Sequence, residues 1–172
     1  MFMILRKTIP FILIMAAFPQ AGIAALSNQI VEDGTFAGCP PDYPFKDDNL
    51  RMLIRDGKNL VHQLDFCSSY GRADAKIEND AKGNQYVILR YGEGRGTNAR
   101  HEYLRVYKIG RKLFEFIRIP LSGPAGPTSR WEYSCKLDKP KNGGLIFKMR
   151  LNLEGENLEN IPSEKLRTIS IK

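Results

Sequence analysis

His62 and His101 are the only histidines of the chain, and Cys39, Cys67 and Cys135 the only cysteines. General-base or nucleophilic chemistry would have to start from these five. Leu60, His62, Leu64 and Phe66 alternate, so His62 belongs to an apolar strand face as a buried or edge ring. Asp65 has the opposite parity and cannot share that face. Cys135 and His101 are the right types for a nucleophile–base pair. Yet Cys135 follows Trp131 and Tyr133 at alternate positions, which is a core pattern. No His/Cys spacing fits zinc. No catalytic residue, metal site or cofactor motif emerges, and a non-enzyme is expected.

Gly92–Thr97 has the look of a phosphate cradle. Such a loop needs a strand before it and a helix after it. Here a strand follows, so a hairpin loop is expected. Ser122–Pro127, with Pro124 and Pro127, is a second loop, stiff enough to enter a partner's cleft or simply to connect strands.

The richest constellation flanks Gly110 and Arg111. A two-residue hairpin loop there would pair Ile109 with Lys112. Tyr107 would then meet Phe114, Arg105 would meet Phe116, and Tyr103 would meet Arg118. Arginine against aromatic faces gains cation–π energy, and Tyr and Arg are enriched in binding hot spots. Tyr103, Arg105, Tyr107, Phe114, Phe116 and Arg118 are therefore the candidate recognition face. The competing reading is a face that covers a second layer, with its arginines at the rim. Between Tyr86 and Ile119, eight cations oppose three acids, a balance of +5. Residues 25–60 carry four cations against six acids, or −2. A basic central stripe favours an anionic partner.

The elements that would position these residues follow a leader. Arg6 and Lys7 precede an apolar run, and Ala21, Gly22, Ala24 and Ala25 follow it. This describes a secretory signal over residues 1–24. The run is too short to span a bilayer, and no second one exists. Without Arg6 and Lys7 the formal charge of +7 falls by two, to +5. The expected location is periplasmic or secreted. There, two of the three cysteines should pair. Cys39 lies in an irregular, proline-rich segment, so Cys39–Cys67 is the expected disulfide and Cys135 the free thiol. Residues 36–39 resemble a lipid-attachment box, but it lies too far from the apolar run to serve as one.

Residues 25–172 are expected to form a single β domain, in which 25–58 is an extended lead-in and a short helix. Asp47–Arg55 supplies that helix, because Leu50, Leu53 and Ile54 share a helical face and Gly57 suits its exit. Beyond it the period is two. About eight strands with short, turn-rich links predict a mostly β fold, a single antiparallel meander closed as a barrel or folded as a sandwich. The absence of long amphipathic helices argues against parallel βαβ units.

Size, export and strand pattern are similar to those of small periplasmic inhibitors of lysozyme. Ser122 and Gly123 resemble the short Ser-Gly inhibitory motif of that class, although the Tyr expected shortly after is missing. The resemblance implies an inhibitor. The expected function is an exported, non-catalytic protein binder, an inhibitor or immunity protein against an envelope hydrolase or toxin. The alternative is a module for an anionic envelope ligand, a glycan or lipid head group. An enzyme of unknown type is the third reading. Nucleic acid is not an expected partner of an exported chain.

Overall fold

The computed structural model describes residues 25–32, 35, 37–96 and 99–172. The expected leader lies outside the described residues. The strands are β1 (Leu26–Glu32), β2 (Asn49–Asp56), β3 (Asn59–Cys67), β4 (Ala73–Asn79) and β5 (Gln85–Glu93). They continue as β6 (His101–Ile109), β7 (Leu113–Pro124), β8 (Arg130–Asp138), β9 (Leu145–Glu154) and β10 (Leu166–Ile171). All pairing is antiparallel, in one sheet ordered β1-β2-β3 and a second ordered β10-β9-β8-β7-β6-β5-β4. The second sheet does not close into a barrel.

The eight expected strands correspond to β3–β10. The expected short helix does not form. Asp47–Arg55 instead holds the end of a 3-10 turn, Lys46–Asp48, and most of β2. Leu50, Met52 and Ile54 alternate into the core and are fully buried. The same spacing of Leu50, Leu53 and Ile54 mimics a helical face, but sheet packing decides between the two periods. The lead-in also contains β1, which pairs with β2 from Leu26↔Asp56 to Glu32↔Leu50. The single meander is therefore two sheets.

β5 explains how they stack. Tyr86 and Ile88 face one apolar cluster, while Val87, Leu89 and Tyr91 face another. The second cluster is completed by Leu50, Met52, Ile54 and Phe66, so the small sheet covers that side. The first is completed by Trp131, Tyr133, Leu145, Phe147 and Met149. These come from β8 and β9 of the same large sheet. The cause lies in β7, which pairs with β6 over most of its length but with β8 only from Ser122↔Glu132 to Pro124↔Arg130. Beyond that short zip β8 departs, and β8–β10 fold back across the inner face of β4–β7. The result is three layers with two cores.

Two polar knots fix opposite ends. At one, Asp48 is fully buried. Its Oδ1 and Oδ2 accept from Arg95 at 2.6 and 3.1 Å, and Oδ2 accepts from the Tyr43 hydroxyl at 2.7 Å. Desolvation opposes ionisation there, but the Arg95 and Tyr43 hydrogen bonds outweigh it and hold the carboxyl below its usual range. The Cys39–Cys67 disulfide forms as expected and closes the same region. A loop of that length is worth about 3–4 kcal/mol on the chain-entropy estimate. Gly38 lies against the Phe66 backbone with no room for a Cβ.

At the other end Asp80 is buried. It accepts from the backbone N–H groups of Lys82 (2.8 Å), Asn84 (2.9 Å) and Gly144 (2.7 Å). The β4–β5 turn is thereby tied to the β8–β9 turn. Burial would raise this carboxyl, but the side chain of Asn84 and these N–H donors depress it strongly.

Candidate functional site

The folding back of β8 leaves an open cleft at the end of the molecule marked by the Asp48 knot. It has a volume of about 460 Å³ and is lined by Arg72, Arg100, Glu102, Ser122, Arg130 and Glu132, with Tyr70 and Gly96 at the rim. An adjoining recess of about 330 Å³ adds Asp74 and Arg90. Four guanidinium groups therefore face three carboxylates.

Each arginine is placed by a different element. Glu102, Ser122 and Glu132 stand opposite one another across β6, β7 and β8. A bulge beside Glu102 sets this row. Glu102 is bound from both sides, by Arg90 Nη2 at 2.5 Å and by Arg100 Nη2 at 2.9 Å. Arg90 also reaches Glu132 at 3.6 Å, and the Glu102 hydrogen bond raises its pKa. Arg130 donates through Nη2 to Ser122 Oγ at 2.8 Å and through Nη1 to the Arg100 carbonyl at 3.2 Å. Arg72 follows the 3-10 turn Ser69–Gly71. Its carbonyl accepts from Ser68 Oγ, which itself accepts from the Gly92 N–H at 3.1 Å.

Among the described residues neither Arg72 nor Arg130 has a carboxylate partner. Arg100 Nε is buried without a hydrogen-bond partner among them. Planar guanidinium forks with free donors suit a carboxylate or phosphate, which they bind in pairs of hydrogen bonds.

Cys135 opens onto a third recess of about 300 Å³, which continues the cleft past Arg90 and Glu132. Ile88, Leu104, Leu121 and Phe147 form its apolar floor. The side chain is exposed, not enclosed as its strand pattern suggested, because β8 has left β7 by this point. Desolvation raises the thiol pKa, with Lys76 and Arg90 pulling it down. His101 lies elsewhere, against Tyr103 with ring centres 6.2 Å apart, so Cys135 and His101 are not brought together. His62 donates from Nε2 to the Gly110 carbonyl at 2.8 Å.

The expected Arg/aromatic face is divided. Its hairpin loop is three residues, Gly110–Lys112, and the ladder carries two bulges. Tyr107 therefore opposes Glu115, Arg105 opposes Arg118, and Tyr103 opposes Pro120. The extra loop residue and the bulge beside Val106 shift the parity. Tyr103, Arg105, Tyr107 and Arg118 gather around Tyr91. Arg105 Cζ lies 4.9 Å from the Tyr91 ring centre, and Arg118 Cζ lies 4.1 Å from that of Tyr103. Tyr107 is only 3% exposed, so the small sheet covers much of this group. Burial pushes the Tyr91 hydroxyl up to about 12.

Phe114 and Phe116 lie on the other side, 5.3 Å from each other, with Phe116 6.4 Å from Tyr86. Ser122 and Gly123 do not protrude in a loop. Both are buried in β7. A Cβ on Gly123 would meet His101 Nδ1 at 2.8 Å and Trp131 at 2.9 Å. In the Gly92–Thr97 segment, Arg95 points back to Asp48 and stacks 3.8 Å over Phe45, so it holds the loop down.

Reading the sequence missed Arg72 and Arg130 and saw Arg90 and Arg100 only within a basic stripe. Comparison with family models, curated proteins and solved structures found no match to the chain.

Proposed function

We propose that the protein is an exported, non-catalytic binding domain that holds an anionic envelope ligand in the arginine cleft. The ligand class is a glycan carboxylate or phosphate, or a lipid head group. The supporting observation is that Arg72 and Arg130 face the cleft without a carboxylate partner among the described residues, beside two arginines locked onto Glu102. The Cys39–Cys67 bond is compatible with an extracellular or periplasmic location. No helix of the described residues is long and apolar enough to cross a membrane.

Titration calorimetry with an oligouronate, inorganic phosphate and glycerophosphate tests this. Each of Arg72→Gln and Arg130→Gln should weaken binding by about tenfold or more, as expected for a lost charge-assisted hydrogen bond. A wild-type protein that binds none of the three sinks the proposal.

A second reading is favoured by Tyr70, exposed at the rim. In it the cleft takes an acidic side chain of an envelope hydrolase or toxin, with Tyr70 as an aromatic contact. It requires that Tyr70→Ala weaken capture of that protein while small anions bind unchanged.

A further inference from the structure

A separate surface lies at the opposite end, where the β2–β3, β4–β5, β6–β7 and β8–β9 turns meet. The His62–Gly110 hydrogen bond brings β3 to the flank of the β6–β7 hairpin. Four large apolar side chains are exposed in this region: Phe114 (64%), Leu60 (48%), Val61 (42%) and Phe116 (38%). Lys108 is the cross-strand partner of Phe114, Arg111 and Lys112 lie in the β6–β7 loop, and Lys58 lies in the β2–β3 turn beside Leu60. None of these four cations has a carboxylate partner among the described residues. The acids at this end are Asp56, Glu78, Asp80, Glu115 and Asp138. Glu115 faces Arg105 at 3.9 Å, Glu78 pairs with Lys76 and Lys139, Asp138 pairs with Lys148, and Asp80 is buried under backbone N–H donors.

We infer that this end docks on an anionic bilayer surface, with Phe114 and Phe116 entering the head-group region and the cations meeting lipid phosphates. Apolar side chains ringed by long basic ones are the composition of interfacial membrane binding, in which stems lie in the boundary while charges stay in water. Charge selects the occupant. Juxtamembrane cations are drawn to the negative potential of anionic lipid, whereas a purely apolar partner would leave them unused. Neither the cleft nor its ligand enters this argument. Docked this way, the cleft opens away from the bilayer.

The experiment is vesicle co-sedimentation of protein purified after export, using phosphatidylcholine with and without phosphatidylglycerol. The wild type should partition only onto the anionic vesicles and detach as salt rises. Phe114→Ala/Phe116→Ala should lower partition about tenfold, and Arg111→Glu/Lys112→Glu at least as much. Thermal melts check that both variants stay folded. Arg130→Gln should partition like the wild type, which separates this surface from the cleft. Equal partition onto both vesicle types, or undiminished partition of the phenylalanine variant, overturns the inference. So does an acidic protein partner lost with the same variants in the absence of any vesicle binding.

Discussion

Arg90, Arg100 and Arg130 at the cleft end each donate to oxygen atoms fixed in the sheet, whereas Lys58, Lys108 and Lys112 at the opposite end stand on flexible stems. Both ends are basic, yet they suit different tasks. A guanidinium held in place presents a defined set of donors and selects by geometry. An ammonium on a mobile stem acts as a point charge, strengthens attraction to any anionic surface and selects little. The framework follows the same division. The disulfide, the Asp48 knot and the Glu102–Ser122–Glu132 row concentrate rigidity behind the arginines. At the hairpin tip, Asp80 secures the turns beneath while Phe114 stays free of the core. On the proposed readings, held charge would serve recognition, and free charge beside apolar surface would serve adhesion.

The largest effect should come from the framework. Replacing Cys39 and Cys67 by Ala should cost about 3–4 kcal/mol in chemical denaturation and weaken cleft binding. Vesicle partition of the still-folded fraction should not change, and a parallel loss at both ends would break the division. Asp80→Asn comes next, at about 2–3 kcal/mol at neutral pH, because buried N–H donors lose an ionised acceptor. Asp80 and Asp48 both have depressed folded-state pKa values. Their contribution is complete above the unfolded value of about 4 and is lost as the pH falls through the folded values. The gap between wild type and Asp80→Asn should therefore narrow in acid melts; a gap independent of pH would refute the assignment.

Arg130→Lys should cost about 1–2 kcal/mol of ligand binding, since one ammonium cannot reproduce the fork that reaches Ser122 and the Arg100 carbonyl. Unchanged affinity would mean that point charge suffices at both ends. The smallest effect is Phe114→Ala on stability, below about 0.5 kcal/mol, measured by thermal melt. A larger loss would place Phe114 among the core residues.

Eight strands and the disulfide pairing were legible because period-two alternation and proline-rich irregularity are local signals. β1 and β2 were not, because Leu50, Leu53 and Ile54 satisfy a helical spacing as well as Leu50, Met52 and Ile54 satisfy a strand. The extra loop residue and the bulges in β6–β7 leave no residue signature, yet each shifts every later pair; the loop residue alone moved Phe114 from Tyr107 to Lys108. The cleft was hidden because its arginines are single residues contributed by β4's approach, β5, β6's approach and β8, and only the backward fold of β8 unites them. One trace was present. Arginine marks the strand ends at the cleft and lysine most of the turns at the other end, with Arg55 and Arg111 as exceptions. That division becomes meaningful once the strands are ordered.

β5 has apolar neighbours on both of its faces, and this links the two cores kinetically. Its backbone amides pair with β4 on one side and β6 on the other, so no route to solvent exists while either adjoining layer stays docked. Hydrogen exchange at Val87, Ile88 and Leu89 should then require global unfolding and report the full free energy of the chain. A disturbance beginning in either outer layer must pass through this strand to reach the other. The cleft and the hairpin tip consequently sit on one cooperative unit, although neither touches the other's residues.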